Sequence, residues 1–190
     1  HYCVHVHRAQ AGLVLVVSDG KDKEAEFELV SLGENWSIRR LSSISEMQNI
    51  APITLFFGLP KGDKLDRVVR QVSELGIAKV VLLKMSRNVV TLDARRAEKR
   101  LERLRRVATE AARQSERSRI MEIDGIYTFE AGLEMAKTHD NVFYCHPSAS
   151  VHMPRGLSGT CAVFVGPEGG LAESESSFMR ENGFVGVRLG

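Results

Sequence analysis

From Pro52 onward the chain alternates short apolar runs with stretches whose apolar residues recur every three or four positions, and no other feature narrows the fold as far. The runs at 53–58, 79–83, 142–145, 161–165 and 185–189 read as strands. A continuous apolar run marks a strand covered on both faces. Between the first two, Leu65, Val68, Val69, Val72 and Leu75 recur at helical spacing, with Asp63 placed to cap the helix and Gly76 to end it. Further helices are expected at about 95–115, 129–138 and 173–182, with a short strand at 121–124 and a loop or short strand extension at 85–90. Strands alternating with helices form a parallel sheet with helices on its faces, so this segment belongs to the α/β class.

Residues 1–44 have a different texture. Short strand-like stretches at 2–6, 13–17, 24–32 and 36–41 are separated by turn chemistry at Asp19-Gly20 and Leu32-Gly33, which predicts a small β domain. The polar stretch 42–49 is the expected boundary, giving domains at 1–44 and 52–190. No apolar stretch approaches the ~20 residues that span a bilayer, so no membrane partner is expected. Cys3, Cys145 and Cys161 are odd in number, and the last two lie in apolar runs. That pattern favours free thiols in a reducing cytoplasm over a disulfide framework. No metal is expected, because no Cys or His pair has zinc-like spacing, and His1, His5 and His7 read as the polar face of a strand. The sequence opens on His1 rather than methionine, so further residues are expected upstream; no signal peptide is visible in those present.

The formal net charge of +2 conceals an asymmetry: residues 95–119 hold ten Lys/Arg against four Glu. One strongly basic element on a slightly acidic body suggests a polyanionic partner at a defined place. On the predicted helix, Ala97, Leu101, Leu104, Ala108 and Ala111 form a core-facing stripe, and Lys99, Arg103, Arg106, Arg113 and Arg117 face away from it. A solvated face laced with i,i+4 ion pairs is the competing reading. Excess arginine favours phosphate, because the guanidinium fork matches phosphate oxygens. Arg87, just past a strand end, is a further candidate for a phosphate or base of the same partner.

Two strand ends carry the remaining chemistry. The run 161–165 leads into Gly166-Pro167-Glu168-Gly169-Gly170-Leu171, with three glycines within five residues, and then into an acidic helix. Such glycines allow positive φ and let a ligand approach without meeting a Cβ. The crevice outside the carboxyl ends of strands is where open α/β sheets bind small molecules. Cys145-His146-Pro147-Ser148 closes the preceding strand, where His146 can donate to a ligand, act in acid–base chemistry or simply end the strand. A P-loop, a G-x-G-x-x-G turn and a G-x-S-x-G elbow are all absent from the sequence.

Taken in order, several segments resemble the motif series of the SPOUT superfamily. They are Lys61-Gly62-Asp63-Lys64 leading to Glu74-Leu75-Gly76, Glu110-Ala111-Ala112-Arg113-Gln114-Ser115-Glu116-Arg117, Cys145-His146-Pro147, Gly166-Pro167-Glu168-Gly169-Gly170 and Val187-Arg188-Leu189-Gly190. Within that superfamily the chain is most similar to the RsmE-type methyltransferases, which modify N3 of a uridine in small-subunit ribosomal RNA. The ordered set spans 52–190, and residues 1–44 resemble, more loosely, the family's PUA-like RNA-binding domain.

The resemblance implies a SPOUT-type parallel sheet closed by a C-terminal trefoil knot, an exception to the rule against knotted chains. It further implies an S-adenosylmethionine (SAM) pocket formed by the knot loops, an obligate homodimer, and 16S ribosomal RNA of the small ribosomal subunit as substrate. Carried onto this chain, the pocket is lined by Cys145, His146, Gly166, Pro167, Glu168, Gly169, Gly170, Leu171, Leu189 and Gly190. His146 and Glu168 are the candidates for taking the N3 proton. The family's pattern continues past Leu-Gly with an Arg-Ile-Leu-Arg-Thr-Glu-Thr-Ala-like segment, so residues beyond Gly190 are expected to complete the pocket. Two alternatives stand beside this reading: a non-catalytic RNA-binding protein, and a SPOUT enzyme acting on transfer RNA.

Overall fold

The computed structural model describes residues 9–32, 36–46, 52–62, 64–88 and 93–189, and the chain divides into two units, His1–Gln48 and Asn49–Gly190. In the first unit β1 (Val14–Ser18), β2 (Lys23–Ser31), β3 (Ser37–Arg40) and β4 (Ser45–Glu46) form an antiparallel sheet. β2 is central: Val16 pairs with Glu26 on one edge, and on the other Leu29 pairs with Ile38 and Glu24 with Ser45. At the β1–β2 turn, the Asp19 carboxylate accepts from the Lys21 and Lys23 N–H groups at 2.6 and 3.2 Å, and Gly20 takes φ +76°. β4 lies inside the polar stretch expected as the domain boundary, and no strand was expected there. An edge strand that bonds through its backbone needs no apolar residues to form. The strand expected at 2–6, with Cys3 and the three histidines, and the Gly33 turn lie outside the described residues.

The second unit is a six-stranded sheet between two pairs of helices. Its strands are β5 (Ile53–Gly58), β6 (Lys79–Lys84), β7 (Glu122–Thr128), β8 (Asn141–Cys145), β9 (Cys161–Val165) and β10 (Val185–Val187). They lie in the order β10-β8-β9-β5-β6-β7, every pair parallel. The helices are α1 (Lys64–Glu74), α2 (Ala94–Gln114), α3 (Phe129–Ala136) and α4 (Glu173–Glu181). Alternate residues of β5 and β6 feed opposite cores. Leu55, Val80 and Leu82 pack with Leu65, Val69, Leu101 and Leu104 of α1 and α2. Phe56, Val81 and Leu83 pack with Phe129, Leu133, Phe164 and Met179 on the α3 and α4 face. This double coverage is why the strands read as unbroken apolar runs. Phe56 and Phe164 stack across neighbouring strands with ring centroids 4.6 Å apart.

Helix α1 ends on a Schellman motif: Ile77 N–H bonds Val72 O and Gly76 N–H bonds Ser73 O, both at 3.0 Å, with Gly76 at φ +86°. Leu75 takes the cap position and is 74% exposed, so it leaves the core stripe to which helical spacing assigned it. The capping residue expected at Asp63 lies outside the described residues. Strand β7 runs four residues beyond the expected 121–124, because Gly125 interrupts the apolar pattern at a register shift opposite Val80 and Leu82. Strand β10 is held on both sides: it pairs with β8, and the Arg188 N–H that follows it donates to Val151 O at 2.8 Å.

The amino ends of β8 and β9 are tied by Asp140, whose Oδ2 accepts from the Thr160 N–H (2.7 Å) and Oγ1 (2.8 Å). These donors, the backbone N–H first, hold the Asp140 carboxyl below its ordinary pKa. A folded-state pKa below the unfolded one gives stability that is complete above the usual carboxyl range, near pH ~4, and is lost as pH falls through the folded value. Asp140→Asn is therefore expected to destabilise the protein at neutral pH, with the gap to wild type narrowing at pH ~3. Urea midpoints at the two pH values test this, and a gap constant with pH refutes it.

Candidate cofactor cleft and basic helix

The register of the sheet brings three loops to one place. Val187 pairs with Cys145, and Tyr144 with Phe164, so His146, Gly166 and Arg188 leave the carboxyl ends of three adjacent parallel strands. Neighbouring strands are about 4.8 Å apart, so the three exits fall within about 10 Å. Cys145 is half-buried, and desolvation raises its thiol pKa. The His146 N–H donates to Val187 O at 2.9 Å, while its Nδ1 accepts from the Ser148 N–H at 3.2 Å. That bond assigns the proton of the neutral ring to Nε2, leaving a donor free to point at a ligand. Leu189 is 66% exposed, and Gly190 lies outside the described residues.

The glycine loop is a tight turn, closed by the Gly170 N–H to Pro167 O at 2.8 Å, with Gly170 at φ +71°. Its three glycines do different work. A Cβ on Gly166 would come within 2.7 and 2.8 Å of the Gly170 and Leu171 backbone. On Gly169 it would meet only the Arg87 side chain at 3.3 Å, and around Gly170 there is space, but φ is restrictive. Gly58, at the end of β5, is equally confined: a Cβ there would lie 2.6 Å from Pro167 Cδ. Glu168 turns away from the three exits, accepting from the Lys61 N–H at 3.2 Å and pairing with Lys64 Nζ at 3.0 Å. The Lys64 bond is the main reason its pKa is lowered, which makes it a weak base.

Two contacts brace this loop from β6. Arg87 is exposed, but its Nη1 donates to Gly169 O at 2.7 Å. Glu175, only 4% exposed, accepts from the Ser86 N–H through Oε1 and from the Ala172 N–H through Oε2, both at 2.8 Å. The second bond is the half of a capping box that a Glu at N3 supplies; Ala172 has no side-chain oxygen for the other half. The sequence reading missed Glu175, although its place three residues into an acidic helix start was a visible signal.

On α2, Leu101, Leu104, Ala108 and Ala111 are buried as the spacing predicts, while Ala97 is half-buried. The basic face is less uniform than its spacing suggests. Arg103 pairs with Asp66 of α1 at 2.5 Å, and Arg117 lies over Gly76 with its Nε donating to Glu74 O at 2.9 Å, which closes the end of α1. Arg113 is 3.8 Å from Glu110. The Lys99 and Arg106 side chains are exposed, with no ion pair or hydrogen bond among the described residues. Those residues also hold no cluster of three or more His, Cys, Asp or Glu arranged for a metal, and no helix among them is long and apolar enough to cross a membrane.

This fold, with loops gathered at one end of a parallel sheet, is that of an RNA-modifying enzyme class, and residues 46–190 match the RNA methyltransferase domain family, to which the chain belongs. A Bacillus subtilis protein named ribosomal RNA small subunit methyltransferase E is 28% identical over the whole chain, which covers 79% of that relative. The similarly named methyltransferase E 2 of Borreliella burgdorferi is 30% identical with the same coverages. Among solved structures, the Neisseria gonorrhoeae methyltransferase E bound to S-adenosyl methionine superposes with a TM-score of 0.84 at 26% identity, covering all of this chain and 79% of that one.

Proposed function

We propose that this protein transfers a methyl group from SAM to N3 of a uridine in 16S ribosomal RNA of the small ribosomal subunit. The observation that carries this reading is the common exit of the His146, Gly166 and Arg188 loops beside a turn that has no room for a side chain at Gly166. Side-chain-free backbone at 166, 169 and 170, with the buried Leu171 and exposed Leu189 nearby, suits a ligand that joins a flat heterocycle to an amino acid. Cys145, His146, residues 166–171 and residues 189–190 hold the cofactor in this reading. SAM, when bound, supplies an electrophilic methyl on its sulfonium.

The chain's own part is to position and to exclude water. His146 Nε2 donates to a carbonyl of the target base or to the cofactor, and the N3 proton passes to solvent as the new N–C bond replaces the methyl–sulfonium bond. Glu168, already bonded to Lys61 and Lys64, fixes the loop rather than taking the proton. Uracil N3 is occupied in a Watson–Crick pair, so the target nucleotide enters unpaired or flipped. Lys99, Arg106 and Arg113 of α2, with Arg87, contact RNA phosphates, and residues 1–44 act as a PUA-like RNA-binding domain. The entry of β10 between β8 and residues 151–152 supports a trefoil knot at this end. The proposed working form is a homodimer in the cytoplasm.

The test is a methylation assay with full-length protein, SAM, and either 30S particles, naked 16S RNA or transfer RNA, with products mapped by mass spectrometry. A methyl on uridine N3 of the 16S RNA is expected. Label on transfer RNA alone, or RNA binding with no transfer, overturns the reading.

A further inference from the structure

Helices α1 and α2 pack side by side on one face of the sheet, and their exposed sides enclose a groove of about 330 Å³. It is lined by Arg70 of α1 and by Arg103, Arg106, Val107, Glu110 and Gln114 of α2, among others. We infer that this groove is a seat for an RNA phosphodiester backbone, with Arg70 and Arg106 as opposed prongs. This rests on the methyltransferase reading above and adds to it a residue, Arg70, that lies outside the basic helix.

Four observations carry it. Arg70 and Arg106 are both exposed, and neither side chain has an ion pair or hydrogen bond among the described residues. Arg103 is oriented by its bond to Asp66, whose side chain is only 14% exposed, while the arginine itself is 58% exposed and keeps N–H groups free. Three guanidinium groups therefore line the groove against one carboxylate, Glu110, which Gln114 Nε2 (3.3 Å) and Arg113 (3.8 Å) already approach. Like charges held this close repel unless a polyanion joins them. The residues named in the lining include no aromatic anchor of the kind that carries protein–protein affinity, whereas arginine forks from two sides suit successive phosphates. Arg117, three residues past the end of α2, is not part of the seat, because its guanidinium closes the end of α1.

The experiment measures affinity of the full-length protein for 30S particles, for transcribed 16S RNA and for a uridine homopolymer over a range of salt, together with KM and kcat for methylation. The variants are Arg70→Ala, Arg106→Ala, the double variant and Arg70→Lys, with Lys137→Ala, on the opposite face of the sheet, as charge control. All five should keep the wild-type thermal midpoint, since the replaced side chains are exposed. Each arginine-to-alanine change should weaken RNA binding about tenfold. It should also reduce the slope of log K against log salt by about 0.7 to 0.9. RNA KM should rise while kcat stays unchanged, and Arg70→Lys should restore only part of the affinity. Unchanged affinity and slope in the double variant, with methylation intact, overturns the groove alone. Loss of affinity for whole 30S particles but not for naked RNA also overturns it, in favour of an acidic protein surface. Weakened, less salt-dependent binding with no methylation of any RNA by wild type supports the groove and removes the methyltransferase reading instead.

Discussion

Gly166→Val is expected to abolish SAM binding and to lower stability by about 1–3 kcal/mol, the usual cost of overpacking a filled site. The added Cβ would have to displace the Gly170–Leu171 backbone, which it would approach to 2.7 and 2.8 Å. Backbone cannot swing aside as the end of a flexible side chain can, so the turn closed by Gly170 N–H and Pro167 O must open. Gly169→Ala makes the contrast, because its added Cβ would lie 3.3 Å from Arg87 Cβ with no backbone nearer, a contact that a shift of a few tenths of an ångström relieves. It should retain SAM binding within a fewfold. Titration calorimetry and thermal melts of both variants decide the point. Equal SAM affinity in Gly166→Val and wild type would remove this loop from the cofactor site.

A comparable loss of stability is expected from Glu175→Ala, at about 1–3 kcal/mol, because two part-buried backbone N–H groups lose their shared acceptor. Those groups, on Ser86 and Ala172, lie on separate elements that the carboxylate joins. Glu175→Gln keeps one acceptor oxygen but sets its NH2 against a backbone donor, so it should recover only part of the loss. Urea unfolding of the two variants measures this. A loss below about 0.5 kcal/mol, typical of an ordinary surface change, would mean that the bridge is not formed in solution.

The strands and helices of the second unit were legible because burial on both faces leaves an unbroken apolar run, and burial on one face leaves a helical stripe. The misses share a physical cause. Ser45 and Glu46 form β4 through backbone bonds, which polar side chains do not advertise. Gly125 hid most of β7 because a register shift tolerates a residue with no side chain to bury. Leu75 looked like core by spacing but stands at the cap, where the helix no longer faces the sheet.

The candidate site was half legible. Its loops could be named, because glycine and histidine at strand ends are visible in one dimension. Which glycine is indispensable could not be ranked, since that depends on which backbone passes nearby. Helical angle alone made Arg103 and Arg117 equal to Arg106. Their partners, Asp66 and Glu74, lie in another helix, and only the packed pair of helices separates bonded arginines from free ones.

The position of β9 imposes an order on assembly. In the chain β8 comes before β9, yet in the sheet β9 lies between β8 and β5. Strand β8 therefore has no edge to join until the later-synthesised β9 has docked against β5, and β10 has none until β8 is in place. Contacts between residues far apart in the chain form late, because the loops they close must be ordered first. The α1–α2 pair instead rests on β5 and β6, which need none of this. The α1–α2 side, with the proposed polyanion groove, can thus mature while the β8–β10 end is still an open edge, and the candidate cofactor cleft exists only once the last strand has closed.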